Sequence, residues 1–224
     1  MPDIEDHKRV HDMLLGPLER PTLQFLAGKM PAWVNPDMLL GFGLFGSLIT
    51  LISYWLTNFN SAFLWLASLG FMINWFGDSL DGTLARYRKI ERPKYGFFVD
   101  HTADSLSTVM IFVGLGLSAY VRLDIALLAC IGYLLMMVLT YINTIVGGEF
   151  KISYGKVGPT ELRIFAVIVN MIVFFYGNPL LRLPFGTISA FDLAILAIAV
   201  ALFITFIVSS IKDAARWSII DPGV

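Results

Sequence analysis

The sequence predicts an all-α, polytopic membrane protein in which six transmembrane helices follow an N-terminal amphipathic interfacial helix, with both termini cytoplasmic. Composition is the first reason: of 224 residues, 57% are hydrophobic and 15% charged, against about 25% charged in an ordinary soluble domain. Length is the second, since six segments approach or reach the roughly 20 apolar residues that a helix needs to cross a bilayer core of about 30 Å. The third is the distribution of Lys and Arg, which gather in alternate connections. Strands are excluded by the same runs, which are too long and uniform for barrel alternation; an open sheet would leave backbone unsatisfied in lipid.

Residues 1–35 form the interfacial segment. The first twelve (MPDIEDHKRVHD) are charged and lack an apolar stretch, so no cleavable signal peptide is expected and the spans themselves target the chain. Residues 10–30 mix Met13, Leu14, Leu15, Leu18, Leu23, Phe25 and Leu26 with charges, and Pro17 and Pro21 interrupt them. That pattern predicts a broken amphipathic helix lying in the membrane interface. Residues 36–224 form one membrane domain, with spans near 37–57, 61–83, 97–121, 123–146, 160–178 and 189–211.

Lys8, Arg9, Arg20 and Lys29 precede the first span, and Arg86, Arg88, Lys89, Arg92 and Lys94 lie between the second and third. Lys151, Lys156 and Arg163 surround the start of the fifth, Lys212 and Arg216 follow the sixth, and the opposite side holds only Arg122 and Arg182. By the positive-inside rule both termini are cytoplasmic. Gly41, Gly43, Gly46, Gly114 and Gly116 read as helix-packing residues, and Asn143 and Asn170 as interhelical hydrogen-bond partners. Trp33 and Trp217 read as interfacial anchors, and the sole cysteine, Cys130, as core filler.

Four aspartates stand against these apolar runs, in Asp78-Ser-Leu-Asp81-Gly82-Thr-Leu-Ala85-Arg86 and, nine residues later, Gly96-Phe-Phe-Val-Asp100-His-Thr-Ala-Asp104. A carboxylate near a bilayer core costs at least about 2.5 kcal/mol, so four in such a short window mark a site. Helical spacing puts Asp78, Asp81 and Ala85 on one side of the second span, and Asp100 and Asp104 one turn apart on the third. The basic link between them allows the two spans to pack as antiparallel neighbours, with all four carboxylates at one depth. Gathered so, the acids repel unless cations neutralise them. Oxygen-only ligation without paired His or Cys favours Mg²⁺ or Mn²⁺, and two such ions can clamp a pyrophosphate. Gly82 and Gly96 clear space where a base or pyrophosphate approaches backbone, and Ala85 keeps the same face low.

Asp78, Asp81, Gly82, Ala85, Arg86, Gly96, Asp100 and Asp104 together resemble the signature of the CDP-alcohol phosphotransferase (CDP-alcohol phosphatidyltransferase) family. The resemblance extends to the six-helix layout and the amphipathic N-terminal segment. It implies metal ligation by Asp78, Asp81 and Asp100, with Asp104 as a further metal ligand or the general base. It also implies a CDP moiety bordered by Gly82, Ala85, Arg86, Gly96 and Asp78. The reaction implied is attack of an acceptor hydroxyl on the β-phosphorus of a CDP-linked alcohol, releasing CMP, in phospholipid biosynthesis. A homodimer is implied as well, with its active site at the cytoplasmic face (of the inner membrane, in a bacterium). One departure is visible: the stretch between Arg86 and Gly96 is one residue longer than is usual for the family, which predicts a longer turn.

Two features resemble the choline and ethanolamine phosphotransferase branch. His101 follows Asp100 directly and is a candidate base, because a neutral imidazole suits proton removal from an alcohol. One step along a helix turns about 100°, so a substrate contact or a packing role for His101 stays open, as does Asp104 as the base. Gly158-Pro159-Thr160-Glu161-Leu162-Arg163 resembles a run that opens a later helix in that branch. Thr160 reads as a helix cap, and Glu161 as a first-turn acid or a group near the acceptor or its ammonium.

Lys151, Lys156 and Arg163 read either as contacts for an acceptor phosphate or as orientation determinants. Size points away from the aminoalcohol branch, towards enzymes that take CDP-diacylglycerol as donor and a small polar alcohol as acceptor, and this is the first reading. CDP-choline or CDP-ethanolamine with a diacylglycerol-like acceptor is the alternative. An ion-coupled transporter would place its acids near the midplane, often in duplicated halves, and these aspartates do neither. Membrane lipids are expected partners and nucleic acid is not.

Overall fold

A computed structural model describes residues 8–10, 14–147, 149–151, 158–183 and 186–222, with backbone alone at 8–10, 149–151 and 183. Among the described residues are seven helices: α1 (Gly16–Lys29), α2 (Pro36–Leu56), α3 (Phe63–Arg88), α4 (Pro93–Gly116), α5 (Leu123–Gly147), α6 (Pro159–Tyr176) and α7 (Ala190–Ile220). Four short strands accompany them: β1 (Lys8–Val10), β2 (Glu149–Lys151), β3 (Leu180–Leu183) and β4 (Gly186–Ser189). The last six helices occupy the six expected places. Of these, α2, α5, α6 and α7 are long and apolar enough to cross a membrane. Helices α3 and α4, at 26 and 24 residues, match them in length but carry the aspartates.

Helix α1 is continuous, not broken. Pro17 falls in its first turn, where a missing N–H is no loss, and Pro21 forfeits one i→i−4 bond inside it without ending it. Leu23 and Ala27, one turn apart, are buried in a cluster with Val34, Leu39 and the α3 residues Leu80 and Leu84. Leu18 and Phe25 of the same helix stay exposed.

Helix α2 is the packing centre. A Cβ on Gly46 would stand 2.8 Å from the Gly70 carbonyl oxygen, one on Gly43 would stand 3.2 Å from the Asp78 amide nitrogen, and one on Gly77 would strike the Gly43 backbone. Helices α2 and α3 therefore meet backbone to backbone, as small residues in membranes permit. On the other flank of α2, a Cβ on Gly114 of α4 would come within 2.6 Å of Leu51 Cα. Gly41 has nothing within 4 Å and is not a packing residue.

This arrangement corrects the expected pairing of α3 with α4. Helix α3 packs on α2, α1 and α6, while α4 packs on α2 and α5, and α5 on α7. Both acid-bearing helices lean on α2, because the glycine seam holds α3 to one side of it and Gly114 holds α4 to the other. Their link is no long turn either. Lys89 stops α3 in the left-handed conformation at φ 57°, and α4 begins at Pro93.

Polar residues inside the bundle find interhelical partners, as expected for Asn143 and Asn170. Tyr54 Oη donates to Asn170 Oδ1 at 2.9 Å, and Asn170 Nδ2 donates to Ser68 Oγ at 3.1 Å, joining α2, α6 and α3. Asn143 Nδ2 donates to Asp213 Oδ2 at 2.7 Å, joining α5 to α7.

The expected grouping of the connections also appears. Arg88 donates to the carbonyls of Met30 (3.1 Å), Pro31 (2.8 Å), Ala32 and Val34, closing the α1–α2 link onto α3. Arg92 pairs with Asp37, β1 runs parallel to β2, and Gly147 lies against Trp217. The N-terminal arm, the links after α1, α3 and α5, and the end of α7 thus share the end where the basic residues concentrate. The β3–β4 hairpin, with Asn178 and Ser189 bonded to the Tyr120 carbonyl, closes the other.

Candidate active site

Asp78 follows Gly77, so the α2–α3 seam sets its position, and Asp100 and Asp104 lie one turn apart in the first half of α4. One carboxylate oxygen from each of Asp78, Asp100 and Asp104 lies within 4.8 Å of the others, and all three residues are half-buried. Asp104 lies within electrostatic reach of Asp78, Asp100 and Arg163. From α6, Arg163 Nη2 donates to Asp78 Oδ2 at 2.6 Å, a charge-assisted contact in a pair only 13% and 20% exposed.

Asp81 stands outside that group. Three helical steps leave it about 60° from Asp78, and its Oδ1 accepts from the adjacent Gly82 amide. It stays within electrostatic reach of Asp100, Asp78 and Arg86. The expected quartet is therefore a trio with Asp81 beside it. Gly82 has room enough that an added Cβ would lie 3.3 Å from Arg86 Nη1, and Gly96 faces open space. Ala85 is half-buried, and Arg86 donates to Thr83 Oγ1 at 3.2 Å.

The His101 ring stacks on Phe97 with centroids 4.1 Å apart and meets Tyr141 edge-on at 5.2 Å. Its Nδ1 is 2.9 Å from the Phe97 carbonyl oxygen and 3.6 Å from Asp100 Oδ2. A carbonyl only accepts, so Nδ1 carries the proton and Nε2 is the basic nitrogen of the neutral ring.

At the start of α6 the structure reassigns two residues. Gly158, not Thr160, is the N-cap, and the Thr160 hydroxyl donates instead to Glu19 of α1 at 2.8 Å. Glu161 accepts from the backbone amides of Leu15 and Gly158, both at 2.9 Å. Its carboxylate thus serves as the first-turn acid of α6. Lys151 lies in β2, where only backbone is described, and Lys156 lies outside the described residues.

Sequence reasoning missed part of the lining. Arg163 was open between two readings, but its pairing with Asp78, 85 positions away, has no local signature. Tyr133 and Tyr141 of α5 were not singled out. The first lies within electrostatic reach of Asp104, Arg163 and Asp78; the second lies within reach of Asp104 and Asp100 and meets the His101 ring. Two tyrosines roughly two turns apart in an otherwise aliphatic span were the available signal.

The donor set suits a hard divalent cation. Three carboxylates supply oxygen alone. Their 4.8 Å spread is little more than the roughly 4.2 Å between opposite oxygens around Mg²⁺, a difference that side-chain rotation closes.

The family model described as CDP-alcohol phosphatidyltransferase matches residues 33–208, from the start of α2 through most of α7. The chain belongs to the CDP-alcohol phosphatidyltransferase family. Four of its helices are long and apolar enough to cross a membrane. Cholinephosphotransferase 1 of Gallus gallus is 32% identical over 175 residues, which is 74% of this chain and 51% of that protein. Cholinephosphotransferase 1 of Rattus norvegicus is 32% identical over 188 residues, 78% of this chain and 46% of that one. Archaetidylinositol phosphate synthase of Pyrococcus horikoshii is 35% identical over 100 residues, 44% of this chain and 50% of that one. The chain spans about half the length of these curated relatives.

Proposed function

We propose that this CDP-alcohol phosphatidyltransferase-family chain transfers a substituted phosphate from a CDP-alcohol to an acceptor hydroxyl and releases CMP. The observation that carries the reading is the convergence of Asp78, Asp100 and Asp104 from two helices beside Arg163. In this reading those three, with Asp81 beside them, hold Mg²⁺ or Mn²⁺, two ions in all. The chemistry such ions supply is neutralisation of the diphosphate and stabilisation of the attacking and leaving oxygens. Gly82, Ala85, Arg86 and Gly96 border the CDP moiety, the glycines leaving backbone accessible and Arg86 offering a cation. Tyr133 and Tyr141 wall the site on the α5 side and keep water from the reacting groups.

The acceptor proton passes to Asp104 or to Nε2 of His101. Asp104 lies among the clustered acids beside Asp78 and Asp100, whereas the Phe97 carbonyl fixes His101 in the tautomer a base requires. For the donor, the cholinephosphotransferase relatives match 74% and 78% of this chain, against 44% for the archaetidylinositol phosphate synthase. This favours a CDP-aminoalcohol donor with a lipid hydroxyl as acceptor. The archaeal relative, named for a lipid that carries inositol phosphate, keeps CDP-diacylglycerol with a small polar alcohol as the second reading. A six-span topology, a cytoplasmic active-site face and a homodimer complete the proposal, on the strength of the Lys and Arg distribution and the family resemblance.

Purified protein given CDP-choline, CDP-ethanolamine or CDP-diacylglycerol, each with pooled acceptors, should release CMP only with Mg²⁺ or Mn²⁺ present. Asp100→Asn should abolish release, and mass spectrometry of the lipid products separates the two donor readings. Folded, metal-replete protein that makes no CMP from any donor refutes the proposal.

A further inference from the structure

Helix α1 is joined to the active site by one carboxylate that the proposed chemistry does not use. Glu19 is half-buried, and its Oε1 accepts from Trp75 Nε1 at 2.8 Å, Ser79 Oγ at 3.2 Å and Thr160 Oγ1 at 2.8 Å. Trp75 and Ser79 are one turn apart on α3, so they present their donors on one face, while Thr160 belongs to the first turn of α6. Three donors on one ionised oxygen form a strong, directional junction.

Both arms end beside the acids. Ser79 is the residue after Asp78, and Thr160 lies one turn before Arg163, whose guanidinium holds Asp78 at 2.6 Å. A second tie, from the Leu15 amide to Glu161 at 2.9 Å, fastens the same end of α1 to the same turn of α6. Beyond this junction and the α3–α6 contacts, α6 joins its neighbours further along, through the Asn170 network and through Val173 in the hydrophobic core.

We infer that Glu19 is a positioning residue: it holds the site ends of α3 and α6 at the separation that lets Arg163 aim the Asp78 carboxylate at Asp100 and Asp104. The inference rests on the proposed function for what the acids bind, but not for the junction itself. Residues that orient metal-binding carboxylates at one remove characteristically change metal affinity or activity by about 10–100-fold when replaced.

The test measures Mn²⁺ binding to the purified full chain in detergent by loss of the free-ion EPR signal, alongside steady-state CMP release. Glu19→Ala should weaken Mn²⁺ binding about tenfold and lower kcat by a similar factor, with KM for the CDP donor little changed. Glu19→Gln, which keeps an Oε1 acceptor, should restore most of both. Thr160→Val, which cuts only the α6 arm, should weaken Mn²⁺ binding in the same direction, and it carries the test if Glu19→Ala does not fold. Wild-type Mn²⁺ affinity in Glu19→Ala or in Thr160→Val overturns the role of Glu19 and leaves the proposed function standing. Absence of Mn²⁺ binding in the wild type overturns both.

Discussion

Asp104→Asn separates charge repulsion from chemistry at the site. Unit charges 4.8 Å apart repel by roughly 3.5 kcal/mol at an effective dielectric constant of about 20. The Arg163 guanidinium 2.6 Å from Asp78 offsets part of this. About 1–2 kcal/mol of tension is left for a neutral side chain to relieve. Asparagine has the same shape and can donate its own N–H to Asp78, so an attraction replaces the repulsion while the shape is kept. For a chain of this size each kcal/mol moves Tm by about 2–4 °C.

The variant in EDTA should therefore melt about 2–8 °C above the wild type, followed by tryptophan fluorescence in detergent. Added Mn²⁺ should stabilise the wild type and leave the variant nearly unmoved. CMP release should fall by at least about 100-fold. A Tm below the wild type in EDTA, or full stabilisation of the variant by Mn²⁺, would refute the view that crowded carboxylates are the tension that a cation relieves.

Arg163→Met removes the guanidinium that pairs with Asp78 and should destabilise the metal-free protein by about 3 kcal/mol, as breaking a buried pair does; Mn²⁺ should recover part of the loss, and a Tm in EDTA equal to the wild type would contradict this. His101→Ala should lower turnover at pH 7 by about 100-fold or more and remove the acid limb of the pH–rate profile if Nε2 takes the proton. Near-normal turnover with an unchanged profile assigns the proton to Asp104. Gly77→Val would drive a branched side chain into the Gly43 backbone and should cost about 1–3 kcal/mol or more, read as lost thermal stability; an unchanged Tm would mean that α2 and α3 do not touch there.

What the sequence disclosed follows the range of each interaction. Apolar length alone located six helices, and the i, i+3 and i, i+4 spacing of the acids located a site, because both are local properties of a helix. The 60° offset that leaves Asp81 outside the trio was implicit in the same spacing. Arg163, by contrast, depends on how α6 lies against α3, and nothing near position 163 encodes that. Thr160 misled for a different reason: its type and position fit helix capping, yet a partner from α1 claimed the hydroxyl, leaving the N-cap to Gly158, while Glu161 is the first-turn acid its position predicts. The direct pairing of α3 with α4 was the natural inference from a short link. It failed because Gly43, Gly46, Gly70 and Gly77 let α2 come closer to α3 than any side-chain-bearing helix can.

That glycine seam also apportions motion. Asp78 has its amide against Gly43 and its neighbour Gly77 locked into the α2 backbone, so it rides on a pair of helices that can move only as one body. Asp100, Asp104 and His101 ride on α4, which reaches that body through Gly114 near its far end. Asp78 is thus placed by the α2–α3 seam and Asp100 and Asp104 by α4, so the geometry of the trio depends on how α2 holds both of the other helices.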